Sequence, residues 1–126
     1  MILVALSKHK HYFLEFNLKD YDPNDAIDFI FKTAPHYAKA KGNLAQFEAF
    51  KHSLKAIEMS KSEATTIGGK EMDAYKSQAY QELCEAIGLA TEETEALRWQ
   101  LEAAKMRFEA WRSQEASNRN IERLTK

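Results

Sequence analysis

At 126 residues, with two prolines, four glycines and one cysteine, the chain has room for a single domain rich in helix-forming residues. A formal charge of −1 excludes a uniformly basic nucleic-acid binder, and Cys84 standing alone excludes an intrachain disulfide. The six apolar residues that open the chain lack a basic leader and a cleavage site, and no stretch approaches the roughly 20 apolar residues of a membrane span. These features predict a cytoplasmic protein without a membrane partner.

In chain order, residues 1–18 form an arm. Segments 2–6 and 12–16 read as two short strands, a β-hairpin that needs a partner surface, or equally as a disordered leader. Residues 19–126 read as one helical domain. Asp22 followed by Pro23 marks a helix start, with aspartate as cap and proline at the first helical position. Pro35 should end this short helix, because proline donates no N–H and restricts the residue before it. Thr33 would then cap a second helix running to about Lys61. Its apolar face is Tyr37, Ala40, Leu44, Phe47, Phe50, Leu54 and Ile57.

Residues 62–70 contain adjacent threonines and glycines with little to bury, so a mobile turn is expected there. Helix resumes from about Glu71, firmly from Ser77, and runs to about Leu124, with Gly88 as its one weak point. Along it Leu83, Ile87, Ala90, Thr94, Leu97, Leu101, Ala104, Phe108 and Trp111 step by alternating fours and threes, the seam of a coiled coil. The expected fold is all-α: an antiparallel helical hairpin with a long coiled-coil-like C-terminal helix. The second helix outruns the first, and Trp99, Met106, Tyr75 and Tyr80 are large apolar residues off the seam. A homo-oligomer is therefore expected, with Leu83, Ile87, Leu101, Phe108 and Trp111 at its interface.

Charge is patterned. Segment 32–61 has six lysines against two glutamates, segment 76–97 has five glutamates against one lysine, and segment 98–126 has seven cations against four glutamates. With Leu101 at heptad position a, the cations Arg98, Lys105, Arg112, Arg119 and Lys126 all fall at e. The bland reading is a solvated face, since Glu95, Glu102 and Glu109 lie three residues before Arg98, Lys105 and Arg112. The functional reading is a path for single-stranded DNA, made by Lys39, Lys41, Lys51, Lys55, Arg98, Lys105, Arg112 and Arg119. Trp99, or the nearby Tyr37 and Trp111, would stack on bases. His9 and His11 lack further ligands, His36 and His52 stand alone, and Cys84 reads as a small buried residue. There is no phosphate loop, nucleophile elbow or zinc spacing, so no enzyme, cofactor or metal is expected.

The runs Tyr37-Ala38-Lys39-Ala40-Lys41, Leu54-Lys55-Ala56 and Leu97-Arg98-Trp99-Gln100-Leu101-Glu102-Ala103-Ala104, then Glu109-Ala110-Trp111-Arg112 and Arg119, resemble small helical phage and prophage proteins of recombination modules. The order of parts is similar to the UvsY-type recombination mediators: a basic first helix, a glycine-containing turn, then a longer helix bearing Trp or Phe. The resemblance covers residues 25–120; residues 1–18 depart from the family's shorter leader. It implies an oligomeric accessory factor that binds single-stranded DNA and works with a recombinase or single-strand binding protein, in the host cytoplasm if phage-encoded. The other reading is a helical protein–protein adaptor or scaffold that binds no nucleic acid.

Overall fold

The computed structural model describes residues 21–125, so the expected N-terminal β-hairpin and the histidines at 9 and 11 lie outside the described residues, as does Lys126. Three helices follow in order: α1 (Pro23–Lys61), α2 (Ile67–Lys76) and α3 (Gln78–Thr125). The fold is all-α, with 92% of the described residues helical.

The start of α1 is set by Asp22, whose Oδ1 accepts from the Asn24 N–H at 2.9 Å while its carbonyl accepts from Asp25 at 3.1 Å. The expected break at Pro35 does not occur; α1 runs through it. A proline inside a helix removes one backbone hydrogen bond and crowds the carbonyl four residues back, at a cost of about 3 kcal/mol. Here the burial pattern keeps phase on both sides of it. Ala26, Ile30, Thr33, Tyr37, Ala40 and Leu44 step by fours and threes, and all are buried or half-buried. Thr33, expected as a cap, sits in mid-helix and is buried. Packing along this stripe outweighs the local penalty.

The break after α1 is shorter than expected. Ser62 Oγ donates to Asp73 Oδ2 at 2.6 Å and accepts from the Ala64 N–H at 3.1 Å. Thr66 then caps α2, its Oγ1 accepting from the Gly69 N–H at 3.0 Å. The glycine pair is thereby drawn into the first turn of α2 rather than left as loop. Gly69 is required by closeness: a Cβ there would meet Ala64 Cβ at 2.9 Å and Thr66 Oγ1 at 3.0 Å. Ser77 makes a second break. Its Oγ donates to the Ala74 carbonyl at 2.7 Å and accepts from the Tyr80 N–H at 3.2 Å, stopping α2 and starting α3. Beyond it α3 is unbroken through Gly88, as the sequence suggests.

Contacts divide the chain into two compact units. The larger is residues 30–102. In it Lys55 meets Glu71 and Tyr75, Lys51 lies over Tyr80, and Ala40, Asn43 and Phe47 line a hollow with Ala86, Leu89, Ala90 and Glu93. Partners on α2 and α3 thus rise in number as those on α1 fall. Its buried residues are mostly small: Thr33, Ala40, Ala74, Ala90 and Thr94, with Leu54 and Leu83. Thr94 is tolerated there because its Oγ1 donates to the Ala90 carbonyl at 2.7 Å. Phe47, Phe50 and Ile57, expected on the inner face, are exposed. Cys84, expected to be buried, is exposed as well, because it falls one position past Leu83 and off the seam.

The other unit is residues 21–29 with 103–125. Ala26 and Ala104 are its buried apolar residues, and the Phe108 and Trp111 rings lie 6.0 Å apart. The Tyr21 hydroxyl is enclosed without a hydrogen-bond partner among the described residues. Desolvation raises its pKa, against the opposing charge of Arg107. Every residue from 112 to 125 is exposed.

Candidate interaction surfaces

The seam of α3 is inward as expected: all nine of its residues, from Leu83 to Trp111, are buried or half-buried. This places the expected oligomer-interface residues. Leu83 is buried within the chain itself, and Ile87, Leu101, Phe108 and Trp111 are half-buried.

Rows of like residues follow as one turns around α3 away from the seam, at 100° per residue. First comes the basic row. Arg98 is half-buried, and Lys105, Arg112 and Arg119 are exposed. Next is the glutamate row, Glu95, Glu102 and Glu109. The rows are joined: Arg98 Nη2 donates to Glu95 Oε2 at 2.6 Å, and Arg112 Nη1 to Glu109 Oε1 at 3.4 Å. The bond from Glu95 is the main reason the Arg98 pKa is raised. Arg98 also lies 4.7 Å over the Trp99 ring.

On α1, Lys39 and Lys41 are exposed, with the Lys41 ammonium 6.0 Å over Tyr37. Lys51 is 5.9 Å over Tyr80, and Lys55 is 5.0 Å over Tyr75 and 3.4 Å from Glu71 Oε1. A hydrogen bond with Tyr75, then the Glu71 contact, raises the Lys55 pKa against partial desolvation. The structure therefore separates the expected cations. Lys55 ties α1 to α2 and Lys51 ties it to the start of α3, whereas Tyr37, under Lys41, adds a minor share to the raised Arg98 pKa. Glu93 of the acidic segment of α3 shares a hollow with Ala40, Asn43 and Phe47 of α1, so an acidic group stands close to the basic segment of α1. A polyphosphate on the α1 lysines would meet that acidic segment.

Beyond the glutamate row lies an apolar stripe opposite the seam. Trp99 and Met106 are 56% and 60% exposed, and Ala96, Ala103 and Ala110 are exposed too; Leu89, further toward the start of α3, is 68% exposed but lines the hollow with Ala40, Asn43 and Phe47. Sequence reasoning set Trp99 and Met106 off the seam but missed the alanines between them. Their three-and-four spacing was the available signal.

Among the described residues no group of three or more His, Cys, Asp or Glu could hold a metal, and no helix is long and apolar enough to cross a membrane. No protein-family model, no curated protein and no solved structure matches the chain.

Proposed function

We propose that this protein is a non-enzymatic helical adaptor that works as a homo-oligomer, its α1 and α3 paired as an antiparallel hairpin with a coiled-coil-like seam. The carrying observation is the exposed apolar stripe of α3, a second face of helical spacing that is uncovered among the described residues. The falling-and-rising contacts between α1 and α3 support the hairpin, and the burial of every seam residue supports the coiled-coil pattern. Sedimentation of the full chain from 1 to 100 µM tests the reading: mass rising with concentration is expected, and a constant monomer mass overturns it.

One observation favours the second reading, in which the oligomer binds single-stranded DNA as an accessory factor of phage recombination. The Arg98 guanidinium stacked on exposed Trp99 is a flat cationic platform of the kind bases stack on. The resemblance to proteins of phage recombination modules points the same way and extends it to a recombinase or single-strand binding protein as partner. Against it stand the glutamates bonded to Arg98 and Arg112. Fluorescence anisotropy with a labelled oligonucleotide decides. If the row touches phosphate, changing Arg98, Lys105 and Arg112 to Gln flattens the salt dependence by about 0.7 log units per contact. If wild-type protein ignores the oligonucleotide at low salt, the adaptor reading stands alone.

A further inference from the structure

We propose that the outer stripe of α3 is the seam of a homodimer in which two α3 helices lie antiparallel, the large residues of each against the alanines of the other. The inference rests on the adaptor reading and names its partner as a second copy of this chain.

Because α3 is one uninterrupted helix, the stripe falls on two heptad positions. From residue 92 to residue 113, position c holds Ala96, Ala103 and Ala110, and position f holds Glu92, Trp99, Met106 and Ser113. These alternate by threes and fours, so they serve a second partner as a and d serve the first. In a parallel pair each position meets its own copy: indole would face indole and alanine would face alanine across a gap. An antiparallel pair sets c against f, so every large residue meets a small one. With the two-fold axis beside Leu101, Trp99 faces Ala103 of the second copy and Met106 faces Ala96. Exposure of Trp99 and Met106 in the single chain is what such a seam requires.

Charge selects the same register. On the edge formed by position g, this alignment puts Glu93 across from Arg107 of the second copy, twice, with Gln100 meeting its own copy at the axis. Moving one heptad to the other c-against-f alignment sets Glu93 against Gln114 and removes both charge pairs. The opposite edge carries the cost: Glu102 meets its own copy, and Glu95 meets Glu109, the second contact softened because Arg98 binds Glu95 and Arg112 binds Glu109. The paired stretch, residues 92–110, is about 28 Å long.

Three measurements on the full chain test this. The double variant Trp99→Glu, Met106→Glu should weaken self-association by at least about tenfold by sedimentation while circular dichroism stays helical. Glu102→Gln should tighten it by about twofold, a gain that misfolding cannot imitate. In a Cys84→Ser background, mixing Glu93→Cys with Arg107→Cys should give a disulfide-linked heterodimer, while Glu93→Cys alone gives none. Wild-type association that the double variant leaves unchanged overturns the stripe as the seam and leaves the adaptor reading intact. Self-linked Glu93→Cys overturns the antiparallel register. A wild type that stays monomeric to 100 µM removes both the seam and the reading beneath it.

Discussion

The two faces of α3 carry the same periodicity and opposite exposure. On the inner face every residue from Leu83 to Trp111 in the four-three pattern is at least half-buried; on the outer face Trp99 and Met106, and most of Leu89, stand in water. Periodicity counts the faces a helix offers to packing, but it does not say which neighbour covers each one. The covering neighbour is set by chain topology; within residues 30–102 it includes α1, whose Ala40, Asn43 and Phe47 face Ala86 and Ala90 of α3.

The sharpest way to break the comparison uses two leucines six positions apart on one helix. Leu83 is 8% exposed and Leu89 is 68% exposed. Leu83→Ala should cost about 2–4 kcal/mol of stability by removing buried carbon and leaving space behind. Leu89→Ala should fall within about 0.5 kcal/mol of wild type. Urea unfolding of both variants below the association range measures the contrast, and equal effects would mean the two faces are not distinct.

Two glycines give a smaller contrast of opposite sign. A methyl group at Gly88 meets nothing within 4 Å, so Gly88→Ala should stabilise α3 by about 0.5–1 kcal/mol through helix propensity. At Gly69 the same methyl group meets Ala64 Cβ at 2.9 Å, so the 62–66 link must shift. Gly69→Ala should destabilise by about 1–2 kcal/mol. Thermal unfolding monitored at 222 nm separates the pair.

These contrasts show where sequence is informative. The seam of α3 was legible residue by residue because nine positions in one phase outvote Gly88. Asp22 and Pro23 fixed a helix start for a purely local reason, whereas the break at Ser77, inside what reads as one helix from about Glu71, was not legible. Pro35 misled because a single-residue rule was weighed before the pattern around it: Ala26, Ile30 and Thr33 already share the phase of Tyr37, Ala40 and Leu44. The glycine pair misled for the converse reason. Thr66, three residues before Gly69, was a readable cap, but the approach of Ala64 that makes glycine necessary is tertiary. Of the candidate site, the basic row and its glutamates were visible as spacing. That Lys51 lies over Tyr80, and Lys55 over Tyr75, was not, since it depends on which segments pack together.

The smallest expected effect concerns the inner attachment of α1 to α2. Lys55 is held by Tyr75 and Glu71, and its folded-state pKa is raised above the ordinary lysine value. A cation whose pKa rises on folding is bound more tightly in the folded state. Its contribution is therefore complete below the unfolded value of about 10.4 and declines as pH climbs through the higher folded value. The lysine side chain is 27% exposed and the glutamate 44%, so solvent screens the pair and the contribution is small. Comparing wild type with Lys55→Met isolates the contribution of this lysine. The stability gap between them should be constant from pH 7 to 9 and narrow above pH 10.4 or so. A gap that persists unchanged to pH 11.5 would mean that the lysine acts through its methylene stem over the Tyr75 ring, and that its charge is idle.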